Sequence, residues 1–377
     1  MAAPRVLILG GYGETGKRLA GMLVSRANAD VIIAGRNGEK AHAIAENINR
    51  DAGSRRAQPL ALDARNLHAF RSALDGVRLV AHAGPALGAG ITRKLAQAAI
   101  STGVDWIDVQ IDPAQSAALR DLDSQARERN VCLAIQSGFH PGLPAAMIRW
   151  AAAMVDALPV AEVFSYLNPD KGLVITQGVD ELIDLFRNYR VRLLEDGVWH
   201  EMSMWDKRAM RKFEFDFGFG MVACAAMALD ELENLPETVP GLRRAGFFIG
   251  GSDPITNWIT TPILFIGLKL LPFLSNSFWA KLWVGSMKLF GRPPFGTALQ
   301  LAAIGKVGDK EKSVRLSISH PDEYVLTAAP VCATVAQMLD GSARRPGVHY
   351  AAHLPEPERM LADMETLGLR IVRGVPS

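Results

Sequence analysis

The sequence predicts an α/β protein with a doubly wound parallel Rossmann sheet and a second, mostly antiparallel α+β domain. Short continuous apolar runs alternate with helical patterns over the first 140 residues, giving six strands and five helices. That alternation is typical of a parallel sheet with helices on both faces. A glycine-rich turn follows the first apolar run directly. Beyond about residue 140 the pattern changes to period-two alternation, which is typical of antiparallel strands.

The first predicted strand leads through the glycine-rich turn into a helix. The apolar run 6–9 ends at Gly10, and Leu19, Met22 and Leu23 then recur at helical spacing. In this context the pattern G-x-G-x-x-G predicts a dinucleotide site, where the glycines turn the chain, admit a pyrophosphate and let helix pack on strand. The N–H groups and positive dipole end of the helix would hold the phosphates. The predicted cofactor contacts in this turn are Gly10, Gly11, Tyr12, Gly13, Glu14, Thr15 and Gly16.

The residues after the second predicted strand favour NADP(H) over NAD(H). NAD-selective sites place a carboxylate there, about twenty residues past the turn, for the ribose 2′-hydroxyl. Here residues 34–37 read AGRN, and the first carboxylate is Glu39. A guanidinium offers a fixed charge and a planar fork of donors, which suits a 2′-phosphate. We therefore predict that Arg36 and Asn37 contact the cofactor, the alternative being that Arg36 is a solvated residue after a strand.

Two further strand ends are predicted to lie at the same edge of the sheet. The third strand ends in Asp63 and Ala64, which either contact the adenine or precede and cap the next helix. The fourth runs into Ala83, Gly84 and Pro85, a turn with little side-chain bulk where the ribose and nicotinamide would pass. All five residues are predicted cofactor contacts.

The sequence offers few candidates for a catalytic proton donor. His140 follows the sixth predicted strand, where a substrate cleft should open, and imidazole titrates in a useful pH range. The structural alternative is a histidine bonded to the backbone. Asp108, on the fifth strand, is the second candidate. No tyrosine has a lysine four residues later, which sets aside the tyrosine-based pair of short-chain dehydrogenases.

Composition and charge exclude several classes of protein. Of the 377 residues, 49% are hydrophobic and 21% charged, which excludes wholesale disorder. The formal charge is only +2, so we expect no nucleic-acid partner. The three cysteines are widely separated and odd in number, so we expect neither a disulfide framework nor a metal site. The first apolar run is shorter than a signal-peptide core, and we therefore predict a cytoplasmic protein.

The length predicts two domains with a returning C-terminal segment. The predicted Rossmann domain covers residues 1–140 and the α+β substrate or dimerisation domain covers 141–345. Residues 346–377 are predicted to return to the Rossmann domain, after a turn at 345–348.

The second domain is predicted to contain an aromatic strand. Phenylalanines at 213, 215, 217 and 219 alternate with polar residues or glycine, which puts one aromatic face on a sheet. That face either lines an apolar substrate cavity or joins the core. A strand is also expected at 160–167, and a hairpin at 191–202.

The stretch 254–308 contains no aspartate or glutamate but carries five cations. Its apolar part, 254–292, is interrupted by Pro262, Lys269 and Pro272. Tryptophans and lysines on apolar helices suit an in-plane segment that contacts the inner face of a membrane. The alternatives are a membrane span and a pair of buried helices at a dimer interface. We also predict a homo-oligomer.

Five segments together resemble the saccharopine dehydrogenase-like family. They read VLILGGYGETGKRLA near the N-terminus, AGRN after strand two, AGP after strand four, SGFHPGLPA around residue 140 and RPGVHYAAH near the end. The resemblance implies an NADP-binding Rossmann domain joined to an α+β domain, acting as an oxidoreductase. Members range from amino-acid dehydrogenases for saccharopine or carboxylated polyamines to lipid-linked, trans-acting enoyl reductases and animal homologues associated with lipid droplets.

The predicted function is NAD(P)H-dependent hydride transfer to or from an apolar, lipid-like substrate or an imino or keto substrate. A substrate with several carboxylates needs convergent cations. The second domain offers six, but they lie in turn- or hairpin-like stretches, which favours a solvated face: Arg187, Arg190, Arg192, Arg208, Arg211 and Lys212. The aromatic strand and the acid-free stretch favour a small-molecule substrate of lipid-like character. The alternative function is a non-catalytic NADP-binding sensor or scaffold at a membrane surface.

Overall fold

The protein is described by a computed structural model covering residues 3–170 and 183–374. It divides into two compact units. Unit 1 consists of Met1–Leu143 with Tyr324–Leu367, and unit 2 of Pro144–Glu323 with Gly368–Ser377. The chain therefore leaves unit 1 for unit 2, returns, and enters unit 2 again at its C-terminal end. From the sequence we expected a second domain over 141–345 and a return to the Rossmann domain over 346–377. Those boundaries differ from the boundaries of the two units after residue 323.

The strands are numbered in chain order. They are β1 Arg5–Leu9, β2 Asp30–Gly35, β3 Ala57–Ala61, β4 Leu79–His82, β5 Asp105–Asp108, β6 Cys132–Ile135, β7 Ala157–Asn168, β8 Val191–Glu195, β9 Val198–Met202, β10 Met210–Phe215, β11 Gly220–Met227, β12 Arg244–Gly250, β13 Gly296–Val307, β14 Lys310–His320, β15 Gly347–Tyr350 and β16 Arg370–Gly374.

The labelled helices follow the same order, and further short turns of 3-10 helix lie between them. They are α1 Glu14–Arg26, α2 Gly38–Asp51, α3 Leu67–Ala73, α4 Ala89–Thr102, α5 Pro113–Arg120, α6 Asp123–Glu128, α7 Leu143–Ala152, α8 Leu235–Thr238, α9 Thr261–Leu270, α10 Asn276–Phe290, α11 Glu323–Asp340 and α12 Pro357–Thr366. A π-helical turn, Thr256–Thr260, directly precedes α9.

Unit 1 contains a seven-stranded sheet in the order β15-β6-β5-β4-β1-β2-β3, with every pair parallel. Side chains alternate across it, so Val6 and Ile8 join the core cluster on one face, and Leu7 and Leu9 the cluster on the other. The chain moves from β1 to β2 on one side and later to β4 on the other side of β1. Ligands of doubly wound sheets bind at such a switch point. The predicted Rossmann architecture is confirmed.

The C-terminal part of unit 1 contains a seventh strand that the sequence did not predict. Residues 347 and 348 were expected in a turn, but Gly347–Tyr350 pairs in parallel with β6. The turn prediction is wrong there because the pairing partner lies more than 200 residues earlier in the chain. The N–H of Val348 also donates to Asp123 Oδ1 (2.8 Å), which anchors the strand to α6.

Unit 2 contains a nine-stranded, mostly antiparallel sheet, as predicted. Seven strands follow the order β10-β11-β12-β7-β13-β14-β16, and β8 pairs with both β12 and β9. One pair, β7 with β12, is parallel. The last strand of the chain, β16, pairs with β14 and so places residues 370–374 in unit 2.

The four phenylalanines do not lie on one strand. Strand β10 ends at Phe215, Phe217 has a positive φ of 61° in the following turn, and β11 starts at Gly220. The rings nevertheless pack on one aromatic cluster, with Phe213 stacked on Phe164 (3.9 Å between ring centroids). The positive φ breaks the strand, and the cluster belongs to the core of unit 2.

Candidate cofactor site at the carboxyl edge of the parallel sheet

The glycine turn after β1 is held by close backbone contacts. Gly10 has a φ of +76°, and a Cβ there would lie 2.3 Å from the Cα of Gly84. Its N–H and that of Gly11 donate to the carbonyl oxygen of Ala34 (2.9 and 3.1 Å). A Cβ on Gly16 would lie 2.3 Å from the carbonyl oxygen of Gly10. The turn therefore packs tightly against the ends of both β2 and β4.

Gly13 is less crowded than the other glycines of the turn. It is the N-cap of α1, no side chain caps that helix end, and an added Cβ would have only one described neighbour, the Gly10 carbonyl oxygen at 3.2 Å. The first-turn N–H groups of α1 and its positive dipole end lie at this position. The arrangement can hold an anion such as a pyrophosphate.

Glu14 puts a carboxylate in the first turn of α1, where an anion would bind. It accepts hydrogen bonds from Lys17 (2.8 Å) and Arg18 (2.7 Å). The bond from Lys17, followed by that from Arg18, lowers the pKa of Glu14 against the opposing effect of burial. The two cations therefore compensate this negative charge.

Tyr12 covers the end of β2. Its ring lies so close to Gly35 that a Cβ there would be 2.2 Å from the ring, and its hydroxyl accepts the N–H of Asn37 (3.3 Å). The Asn37 side chain caps α2 by accepting the N–H of Lys40 (2.9 Å). Arg36 is exposed, and no carboxylate in the described ranges pairs with it. The guanidinium is thus available to an anion at this edge.

The other predicted cofactor residues lie on the same edge of the sheet. Asp63 is exposed, and its Oδ1 accepts the N–H of Arg65 (3.0 Å), while Asn66 caps α3. Ala64 is half-buried beside it. Ala83 donates its N–H to the Leu9 carbonyl oxygen (3.0 Å), so the turn at residues 83–85 starts directly beside the glycine turn.

A cluster of buried polar side chains around Asp108 lies at the ends of β5 and β6, next to the turn at residues 83–85. Asp108 accepts hydrogen bonds from the indole N–H of Trp106 (3.0 Å) and from the backbone N–H groups of Gln110 and Gln136 (both 3.2 Å). Gln110 donates its side-chain N–H to the carbonyl oxygen of Gly84 (2.8 Å). Burial raises the pKa of Asp108 to about 6, although all three hydrogen bonds lower it. Asp108 therefore ties the two strand ends together and titrates near neutral pH.

The two histidines near this edge are uncharged at neutral pH. Burial lowers the pKa of His140 to about 3. Burial also lowers that of His82 to about 4, opposed by a hydrogen bond to the backbone of Pro85. The expectation that His140 titrates in a useful range is wrong for this structure, because its imidazole is out of water. A role for His140 as a proton donor would have to use the neutral ring.

Three residues of this edge were not singled out from the sequence. His82, Gln110 and Gln136 are buried at the ends of β4, β5 and β6, and Gln136 has a positive φ of 55°. The sequence does show polar residues directly after apolar strands, which is a signal for a site at the strand ends. It does not show that these side chains are buried or that the backbone is strained, because both depend on the folded structure.

Replacing Asp108 by Asn is expected to change the pH dependence of stability. With a pKa of about 6 in the folded state and 3.8 as the ordinary value, Asp108 favours the native state below the ordinary value. That contribution is lost as pH rises through the folded-state pKa, by up to about 3 kcal/mol. The stability of the wild type relative to Asp108→Asn should therefore fall between pH 4 and pH 7, measured by urea unfolding.

The exposed acid Asp75 offers a matched control for this experiment. Both proteins keep His82 and His140, whose titration cancels in the difference. Parallel stability curves for the wild type and Asp108→Asn would contradict the assignment. The same slope in Asp75→Asn would show that the effect is not specific to Asp108.

Comparison with known proteins gives a family match for the part of the chain that contains the candidate cofactor site. Residues 6–133 match the family model described as the saccharopine dehydrogenase NADP binding domain. The match lies within unit 1. The predicted resemblance to saccharopine dehydrogenase-like proteins and the prediction of NADP(H) as cofactor are confirmed, and the chain is an NADP-dependent oxidoreductase by this assignment.

A solved structure agrees with this fold over the whole chain. The apo, histidine-tagged saccharopine dehydrogenase (L-Glu forming) from Saccharomyces cerevisiae matches with a TM-score of 0.71 at 12% identity, covering 100% of both chains. The DAP dehydrogenase of C. glutamicum, solved with DAP, matches with a TM-score of 0.45 at 11% identity over 97% of this chain and 99% of that one. No curated protein sequence matches. At 12% identity the match to the yeast enzyme shows the fold alone.

Proposed function

We propose that the protein transfers hydride between NADPH and an apolar, lipid-like substrate or an imino or keto substrate. The observation that carries the proposal is the open edge of the parallel sheet in unit 1. There, helix α1 begins at Gly13 without a side-chain cap on one side of the switch point, and an exposed Arg36 without a carboxylate partner among the described residues follows β2.

Each part of NADPH has a proposed binding region on this edge. The pyrophosphate binds the N–H groups at residues 10–16, where the helix dipole favours negative charge. Arg36 pairs with the 2′-phosphate, with the backbone of Asn37 beside it. Asp63 and Ala64 border the adenine. Residues 83–85 border the ribose and nicotinamide, as expected at the carboxyl end of β4.

The protein's own contribution to the reaction is positioning and proton transfer. NADPH supplies the hydride when it is bound. Asp108 is the proposed source of the proton, because its raised pKa of about 6 lets a fraction of the carboxyl groups stay protonated near neutral pH. His140 is the second candidate and would act as a neutral ring.

Ion pairs in unit 2 support an apolar substrate over one with several carboxylates. Of the six candidate cations, four arginines already lie near carboxylates, and Arg187 donates to the Leu268 carbonyl oxygen (3.1 Å) and Asn276. The four pairs are Arg190 with Asp230, Arg192 with Glu233, Arg208 with Asp206 and Glu195, and Arg211 with Glu162. Arg187 and Lys212 are left without a carboxylate among the described residues, and Arg187 already donates to two oxygens, which leaves too few cations for a polycarboxylate.

The proposed location is cytoplasmic, at the inner face of a membrane, where a lipid-like substrate would be available. Among the described residues, no helix is both long and apolar enough to span a bilayer. Peripheral contact is therefore the form of membrane association that we propose.

Titration with NADPH and NADH, followed by quenching of tryptophan fluorescence, tests the proposal first. We expect NADPH to bind more tightly, and the preference to weaken at high salt because a charge pair carries it. Apolar enones and imino acids are then screened by NADPH absorbance. Failure to bind either cofactor would refute the proposal. NADPH binding without oxidation by any substrate class would instead favour a sensor or scaffold.

A further inference from the structure

We propose that the outer surface of a helical hairpin in unit 2 docks on an anionic lipid bilayer. The hairpin, residues 255–290, consists of the π-helical turn, α9 and α10. This inference rests on the peripheral location proposed above but not on hydride transfer. It names the surface, the lipid chemistry and the orientation.

The inner side of the hairpin is a packed core. Thr260 and Ser286 share a hydrogen bond (2.8 Å), and the indole N–H of Trp283 donates to Thr261 Oγ1 (3.2 Å). A Cβ on Gly267 would lie 2.0 Å from the ring of Trp279, so the two helices approach closely there. Because these contacts join residues in reverse order along the chain, α9 and α10 are antiparallel. The hairpin is thus a preformed element that presents its outer side.

The outer side is a continuous apolar surface. Eleven of the 18 exposed large apolar residues of the described chain lie in this hairpin, which is far from a random scatter. On α10, Phe278, Leu282 and Leu289 share one exposed helical face. The highest exposures are 78% at Phe273 and 72% at Leu270, both at or beside the connection between the helices. An apolar surface of this extent marks an interaction site.

The remaining exposed apolar residues of this surface extend it along the first helix and the connection. They are Ile255, Trp258, Ile259, Ile263, Ile266 and Leu271.

The charges around the apolar surface select the partner. Lys269, Lys281, Lys288 and Arg292 are exposed, and the sequence has no acidic residue from 254 to 308. Anionic lipid headgroups attract such cations, with roughly a fivefold gain in binding per residue. A second copy of this chain is disfavoured, because a two-fold interface would bring the same cations together without carboxylates.

The length of the helices determines the orientation. Each arm of the hairpin has 15 helical residues, counting the π-helical turn with α9, and extends over about 22 Å, which is shorter than the hydrocarbon core of a bilayer. The hairpin therefore lies in the plane of the interface. Its apolar face enters the boundary between headgroups and acyl chains, and its lysines stay at headgroup level.

Flotation of the full-length protein with vesicles tests this inference. We expect binding to vesicles of phosphatidylcholine with phosphatidylserine, and at least about tenfold weaker binding to phosphatidylcholine alone. The double variant Leu270→Asp, Phe273→Asp should lose at least about 100-fold in partitioning, because two apolar anchors are replaced by anions. Changing Lys269, Lys281 and Lys288 to Gln should lose roughly 100-fold and weaken the salt dependence, with Arg292 as the remaining cation.

The matched control is Trp205→Asp, at an equally exposed residue of unit 2 outside the hairpin (69%). It should bind vesicles like the wild type. Failure of the wild type to bind anionic vesicles, or equal loss in the control, would overturn the inference. So would a dimer in solution that Leu270→Asp, Phe273→Asp dissociates, since the surface would then serve self-association. NADPH binding, measured on the same samples, should be unchanged in every variant, which separates this test from that of the proposed function.

Discussion

Replacing Gly13 by Leu is expected to weaken NADPH binding by at least about 100-fold while the protein stays folded. We expect the fold to persist because Gly13 has an ordinary φ and an added Cβ meets one described atom, the Gly10 carbonyl oxygen at 3.2 Å, which has to shift by only a few tenths of an ångström. The side chain would extend into the space where a pyrophosphate approaches the helix end. Loss of two charge-assisted hydrogen bonds accounts for an effect of this size. Tryptophan quenching gives the affinity, and circular dichroism gives the fold.

Two other glycines of α1 make this experiment specific. Gly21→Leu is the matched control, because a Cβ there meets nothing within 4 Å and the site lies away from the turn. It should bind NADPH like the wild type. Gly16→Ala is expected to destabilise the fold itself, since its Cβ would lie 2.3 Å from a carbonyl oxygen. Unchanged affinity in Gly13→Leu would remove the glycine turn from the cofactor site.

Replacing Arg36 by Asp is expected to shift the cofactor preference from NADPH towards NADH by more than about 100-fold. The change removes charge-assisted hydrogen bonds to the 2′-phosphate, which are worth roughly 1.5–3 kcal/mol each, and adds repulsion. A carboxylate at this point can also accept the ribose 2′-hydroxyl of NADH. The carboxylate is introduced at residue 36, and not at residue 35, because the Tyr12 ring leaves no room for a side chain on Gly35. The measured quantity is the ratio of the two dissociation constants.

Arg55 provides the control for charge. It is exposed and precedes β3, at the amino end of a strand whose carboxyl end lies beside the proposed site. Arg55→Asp therefore makes the same change in net charge on the opposite edge of the sheet, and its NADPH:NADH ratio should stay at the wild-type value. If Arg36→Asp also keeps that ratio, Arg36 does not bind the 2′-phosphate.

The N-terminal half of the fold was predictable because its signals are local. Strands β1, β2, β4 and β6 are largely apolar runs, and the helices between the strands show their own periodicity. The glycine turn was likewise visible, although the residue with positive φ is Gly10, which precedes the three glycines of the motif. The capping of α2 by Asn37 shows how a residue predicted to bind cofactor also has a local structural role.

Features that depend on distant partners were not predictable. Strand β15 forms because β6 is available as a neighbour, and β16 leaves unit 1 because β14 offers an edge. Helix α11 joins unit 1 through Val331 and Val335, which pack in the same core cluster as β1. An amphipathic pattern predicts that such elements form, but it does not say which sheet they cover.

By itself, the sequence determined the Rossmann class, the glycine turn, the arginine after β2 and the acid-free hairpin, because periodicity and turn chemistry act within a few residues. Tertiary structure decided which polar groups are buried and which charges are paired. Burial moves the pKa values of Asp108 and His140 in opposite directions, and carboxylates from other elements pair with Arg190 and Arg192. Both effects arise from desolvation and distance, which only the folded chain defines.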